Sequence, residues 1–139
     1  MVIRTSRFVI DASVALHLAA EPRDVPKSLE LYAPTLLRSE TLSLLHEATH
    51  RGELDPDIAR GRLDWLTHWF VHQPVRLLGD AVLKAQAWKV ADRLGWSSTY
   101  VAEYVAMAQL RRCPLVTLDE RLRGQLAGVV ELATLDELR

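Results

Sequence analysis

Two β-rich segments of the chain, FVID and LVTLD, each end in an aspartate, Asp11 and Asp119. When the strands are parallel, such terminal acids share one edge of the sheet, the edge outside which ligands bind in open α/β folds. Each aspartate also has an ordinary structural use, because Asp is a favoured helix N-cap. The coincidence of two at one edge shifts the reading towards chemistry. Glu40 is the third candidate. It follows Ser39, which reads as the N-cap of a helix, and a carboxylate in that first turn is favoured by the helix dipole by about 0.3–1 kcal/mol. A glutamate at a helix start can equally point over the sheet edge. Three carboxylates converging there repel one another by on the order of several kcal/mol at an effective dielectric constant of about 20. A divalent cation relieves that repulsion, and all-oxygen ligands favour Mg²⁺ or Mn²⁺ over zinc. A hard cation beside a cleft is an apparatus for phosphodiester hydrolysis.

A second pattern competes. His46-Glu47-Ala48-Thr49-His50 matches H-E-x-x-H, the helical zinc site of many metalloproteases, with two histidines one turn apart and a glutamate available as base. The extended form with a glycine and a third histidine does not follow, since Glu53 and Pro56 stand in those places. A small zinc protease is therefore the remotest reading. Two solvated or partly buried helix histidines are the plainer one. His68 and His72 share the i,i+4 spacing and, beside Trp65 and Trp69, read as flanks of a packing face.

Alternating strands and helices must position these groups. Arg7–Asp11 reads as a strand that passes directly into a helix over Ala12–Ala20. Pro26–Leu31 fits a short helix with proline in its first turn, and Tyr32–Leu36 a short apolar strand. Helices are expected from the Ser39 cap to about Arg51, from Pro56 to about Val71, over Asp80–Leu94, from Ser97 or Ser98 to about Arg112, and over Arg121–Leu126. Val75–Leu78, Pro114–Leu118 and Val129–Leu132 read as strands. The pattern predicts an α/β fold, a parallel sheet with helices on both faces. Trp65, Leu66, Trp69 and Phe70 form a bulky helical surface that core packing explains, with a protein interface as the alternative. Arg111, Arg112, Arg121 and Arg123 cluster in sequence around Asp119 and can track nucleic-acid phosphates or simply solvate helix ends.

The 139 residues suit one domain, 1–139, and the 49% hydrophobic and 25% charged content is that of an ordinary globular chain. The longest stretch free of Asp, Glu, Lys and Arg, Trp65–Val75, is far too short to span a bilayer. No secretory signal is apparent, and the single Cys113 excludes an internal disulfide and a thiolate metal cage. Both point to a cytoplasmic protein. Cys113, before Pro114, reads as a small buried hydrophobe. A net charge of −1 means that any nucleic-acid site is local or is completed by metal ions or a second subunit.

In order along the chain, FVIDASV, LLRSETLSLL, RGELDPDIA, TYVAEYVAMA and LVTLDERL resemble the signature segments of PIN-domain ribonucleases, most closely the VapC-type toxins of bacterial toxin–antitoxin pairs. The resemblance spans about residues 7–133. It implies a three-layer α/β/α sandwich with a central parallel sheet and hydrolysis of RNA assisted by Mg²⁺ or Mn²⁺. It also implies a VapB-type antitoxin that blocks the acidic site, and a homodimer. Carried onto this chain, it makes Asp11, Glu40 and Asp119 the metal ligands and catalytic acids. Thr117 matches a position where the family often has a hydroxyl, and Thr117, Arg121 and Arg123 become the candidate RNA contacts. One position departs. The family segment usually reads Tyr-Asp-Ala-x-Tyr, and here it is Tyr100-Val101-Ala102-Glu103-Tyr104, so Val101 stands where a metal-binding aspartate is expected. Glu103, two residues on, lies about 200° further around the helix and is no simple substitute. Three readings of Val101 stay open: a nuclease that works with three acids, a weak or inactive domain that chiefly binds an antitoxin, and an attenuating substitution, selected or engineered.

Overall fold

The computed structural model describes residues 6–72 and 74–139; the expected domain span 1–139 also includes residues 1–5 and 73, which lie outside them. Strands β1 (Arg7–Ile10), β2 (Glu30–Pro34), β3 (Val75–Leu78), β4 (Leu115–Val116) and β5 (Leu132–Ala133) form one sheet, ordered β3-β2-β1-β4-β5, with every pair parallel. Helices α1 (Ala12–Ala20), α2 (Leu36–His50) and α3 (Pro56–Val71) pack on one another. Helices α4 (Ala81–Leu94) and α5 (Tyr100–Arg111) form a second pair, with α5 lying along β1, β2 and β4, and α6 (Glu120–Leu126) joins β4 to β5. The architecture is the expected α/β sandwich. Because the central strands are covered on both faces, they read as continuous apolar runs rather than as alternating ones. Phe8, Val9 and Ile10 of β1, Leu31, Tyr32 and Ala33 of β2, and Leu115 and Val116 of β4 are all buried. Among the described residues no helix is long and apolar enough to cross a membrane.

Three expected elements fall elsewhere. Pro26–Leu31 is not a helix: Leu29 N–H closes a single turn on the Pro26 carbonyl, and Glu30 and Leu31 already belong to β2, paired with Arg7 and Phe8. Sheet pairing captures residues that local propensity alone assigns to a helix. Helix α2 starts at Leu36, with Thr35 rather than Ser39 at its N-cap position, so Glu40 sits in the second turn. The Thr35 N–H donates to the Leu78 carbonyl at the end of β3, which fixes where the chain turns. The final strand is Leu132–Ala133 and not Val129–Leu132, because the Val129 and Val130 N–H groups fold back onto the Leu126 carbonyl. A closing 3-10 turn, Leu135–Leu138, was not foreseen and buries Leu138.

The same join between β2 and β3 demands a glycine. A Cβ on Gly79 falls 2.6 Å from Thr35 Oγ1, inside any real contact. Gly79→Ala is expected to lower stability by about 1–3 kcal/mol through overpacking. Because the obstructing atom belongs to a side chain, Thr35→Ala in the same chain should restore most of the loss. Urea unfolding of the single and double variants measures both effects.

Candidate active site

The strand order reverses between β1 and β4: β1 leads outward to β2 and β3, and β4 leads to β5. The carboxyl ends of these two neighbours flank the crevice in which open α/β sheets bind ligands. Asp11 follows β1 and caps α1, its carboxylate accepting the Val14 N–H at 3.3 Å. It is only 7% exposed. Ser13 Oγ donates to Asp11 Oδ1 at 2.5 Å and accepts the Leu118 N–H at 2.8 Å, and Thr117 Oγ1 stands 3.4 Å from it. Ser13 thereby ties the end of β1 to the end of β4. Burial pushes the Asp11 carboxyl above its ordinary pKa, against the opposing pull of the Ser13 and Thr117 hydroxyls and the Val14 and Ser13 N–H groups.

Glu40 meets this group from α2. It is half-buried, and its Oε1 accepts the Tyr104 hydroxyl from α5 at 2.8 Å. Burial raises its pKa; the Tyr104 hydrogen bond opposes the rise, and the charges of Asp11 and Glu103 add to it. Tyr104 is itself buried, and burial, followed by the charge of Glu40, lifts its phenol far above the usual tyrosine range. It is therefore a donor that does not ionise. Glu103, expected to point away, is 5% exposed and pairs with Lys84 of α4, Oε1 to Nζ 2.9 Å, while its charge still reaches Glu40 and Tyr104. Sequence reasoning passed over Ser13, Glu103 and Tyr104 as site residues. A signal existed for Glu103: it is the only carboxylate in Ala102–Ala108, a run buried throughout, and a buried charge requires a partner.

Asp119 lies at the same edge but does something different. It is exposed, its carboxylate caps α6 by accepting the Leu122 N–H at 3.1 Å, and its own N–H donates to Thr117 Oγ1. Among the described residues no group of three or more His, Cys, Asp or Glu side chains is placed to hold a metal ion. The expected three-carboxylate cluster of Asp11, Glu40 and Asp119 is thus not formed in this conformation. Asp11 and Glu40 are the acids brought together, and two carboxylates with water and phosphate suit a hard cation such as Mg²⁺.

No protein-family model matches the chain. Curated relatives do. Ribonuclease VapC9 of Mycobacterium tuberculosis and VapC ribonuclease Mb0985 of Mycobacterium bovis are each 32% identical to it over 118 residues, covering 82% of this chain and 87% of theirs. The chain belongs to the VapC ribonuclease family. The fold agrees: PAE2754 from Pyrobaculum aerophilum superposes with a TM-score of 0.70 at 23% identity, over 95% of this chain and 91% of that one. VapBC2 from Rickettsia felis, solved bound to a DNA fragment from their promoter, superposes at 0.62 and 8% identity, over 92% and 98%.

The remaining candidates of this VapC-family chain are distributed as follows. Thr117, expected to face RNA, is 1% exposed, and its hydroxyl is engaged with Asp119 N–H and Ser13. Arg123, also expected on RNA, is half-buried and donates through one nitrogen to the Thr117 and Ala133 carbonyls at 3.2 and 2.9 Å, clamping β4 to β5. Arg121 is exposed on the first turn of α6. Arg111 and Arg112 precede β4 and therefore stand at the opposite sheet edge from Asp119, with Arg111 stacked 4.9 Å over the Tyr32 ring. Sequence proximity had grouped them with Arg121 because β4 is so short. His46, Glu47 and His50 are exposed on α2, and His68 and His72 are exposed on α3 with rings 4.1 Å apart. Leu66 and Phe70 are buried, and Trp65 and Trp69 stack at 5.5 Å against the core. Val101 is half-buried and borders a hollow lined by no carboxylate.

Asp11→Asn tests the buried charge. Asparagine keeps the α1 cap and the hydrogen-bonding shape. A folded-state pKa raised above the unfolded one gives a contribution that is full below the unfolded pKa and is lost as pH rises through the folded pKa. In chelator-treated protein, Asp11→Asn is therefore expected to melt above wild type at pH 7. The gap should shrink as pH falls into the carboxylate range. Thermal melts from pH 7 down to pH 4 measure it.

Proposed function

We propose that the chain is a Mg²⁺- or Mn²⁺-dependent endoribonuclease, the toxin of a type II toxin–antitoxin pair. The observation that carries this reading is that the charge of Asp11, at the crevice between β1 and β4, reaches a half-buried Glu40 on α2, in a chain of the VapC ribonuclease family. Both carboxyls are pushed towards the protonated form by burial. Among the described residues no basic side chain hydrogen-bonds either of them, so a cation is the natural complement. Asp11 and Glu40 are the residues that would hold it, with Asp119 free to turn from its cap. Such a cation, when bound, activates water and neutralises charge on the scissile phosphate. Tyr104 holds Glu40 in place by its hydroxyl, and Ser13 holds Asp11. Lys84, anchored on Glu103 and half exposed, keeps part of the acidic charge balanced.

The substrate in this reading is RNA and the controlling partner a VapB-type antitoxin. Apolar surface for an antitoxin and for a homodimer is at hand: Leu42, Leu63 and Val71 on α2 and α3, and Val82 and Trp88 on α4, are exposed. A second reading, a catalytically weak member that acts chiefly by binding its antitoxin, is favoured by Val101 and by the unformed three-acid cluster.

The experiment is cleavage of a mixed RNA by purified protein with Mg²⁺ or Mn²⁺. Cleavage should stop with chelator, and Asp11→Asn and Glu40→Gln should each lose about a hundredfold or more. Undiminished activity in either variant, or in chelator, contradicts the proposal. A wild type that cleaves nothing beside a Val101→Asp variant that does would establish the second reading.

A further inference from the structure

A hollow of about 380 Å³ opens between the start of α5 and the end of α6, and no charged side chain lines it. Gly95, Trp96, Ser97, Ser98, Val101 and Gln125 line it. Its place follows from helix geometry. Val101 lies one turn before Tyr104 on the same face of α5, about 5–6 Å away, and Tyr104 is the residue bonded to Glu40. Gln125 lies one turn after Arg121 on the same face of α6, the helix that Asp119 caps. The hollow thus lies about one helical turn from the Tyr104 that bonds Glu40 and borders the helix that Asp119 caps, on which Arg121 is exposed.

Its chemistry suits one kind of guest. The lining residues bring an indole, an isopropyl group, two hydroxyls and a carboxamide. No carboxylate or ammonium lines it, so neither a cation nor a phosphate finds a counter-charge inside. A flat aromatic ring with hydrogen-bonding edges does fit, and proteins read single-stranded bases by stacking them on aromatics and bonding their edges. The main chain at Trp96 is fixed: Gly95 turns it at φ +71° at the end of α4, and the Trp96 backbone N–H returns to the Ala91 carbonyl at 2.8 Å. Arg121 is exposed and enters no ion pair among the described residues, which leaves it for the phosphate that a seated base would bring. Valine in place of an acid at position 101 has a consequence here. It removes a charge that would repel that phosphate and supplies an apolar wall.

We infer that this hollow is a nucleobase subsite: it seats one unpaired base of the RNA beside the scissile phosphate, with Trp96 stacking, Gln125 and the Ser97 and Ser98 hydroxyls reading the base edge, and Arg121 on the phosphate. The inference rests on the ribonuclease reading and deepens it by naming what sets base preference.

Two measurements test it apart from that reading. Cleavage sites in a random RNA pool are sequenced for wild type, Gln125→Ala and Arg121→Gln, and Gln125 is exposed, so its loss leaves the fold intact. In parallel, fluorescence anisotropy follows the four homopolymeric tetraribonucleotides on Asp11→Asn protein, with and without Gln125→Ala or Trp96→Ala. Wild type should prefer one base at one position beside the cut. Gln125→Ala should flatten that preference by about fivefold or more. Arg121→Gln should weaken all sites alike. Trp96→Ala should loosen the preferred tetranucleotide by about tenfold. Base-selective binding that Gln125→Ala abolishes sustains the subsite even where no cleavage is seen. Cleavage with an unchanged base profile in Gln125→Ala, and tetranucleotide binding unchanged in Trp96→Ala, overturns the subsite and leaves the ribonuclease standing. Neither cleavage nor binding of any RNA overturns both.

Discussion

Burying the carboxylate of Asp11 between the ends of β1 and β4 imposes an electrostatic penalty around which the carboxyl edge of the sheet is arranged. The position is dictated by topology, because β1 and β4 are the neighbours between which strand order reverses. A charge there loses most of its water, and Glu40, which the charge of Asp11 reaches, carries the same sign. The surroundings respond with neutral donors rather than cations: the hydroxyls of Ser13 and Tyr104 and the N–H groups opening α1. Among the described residues, Glu103 alone of Asp11, Glu40 and Glu103 receives an ammonium, that of Lys84. Neutral donors orient a carboxylate without cancelling its charge, and on the proposed reading a cation completes Asp11 and Glu40.

The parts of this arrangement that could be read from sequence are the local ones. A strand that ends in an acid and runs into a helix is visible in FVIDASV and in LVTLDERL, and it located Asp11 and Asp119 at one edge. What such reading lacks is the partner supplied from far away. Tyr104 lies 64 residues from Glu40, and Ser13 lies 105 from Leu118, so nothing in either neighbourhood announces the contact. Proximity in sequence also misleads in the other direction. Arg112 and Arg121 look like one basic cluster, yet β4 carries the chain across the sheet between them. The start of α2 fails for a related reason. Ser39 is a reasonable cap, but the bond from Thr35 N–H to the end of β3 begins the helix a turn earlier, and this moves Glu40 away from the helix dipole.

The distribution of charge along the edge then separates two tasks. Around Asp11 the wall is acidic and suits a cation. Around Val101 the lining is uncharged and includes Trp96, and Arg121 is exposed on the neighbouring helix α6. The roles of the hydrophilic groups follow from their burial: Arg123 and Thr117, drawn inward, hold strand ends together, whereas Arg121, left outside, is available to a ligand.

The central claim is that Asp11 and Glu40 form one electrostatic unit completed by a cation. The most direct measurement is a carbon-detected NMR pH titration of their side-chain carboxyl groups, with and without Mg²⁺. Without the ion, both carboxyls should titrate above the ordinary range. With it, both should move down together. Ordinary titration of both carboxyls, unaffected by Mg²⁺, would contradict the account.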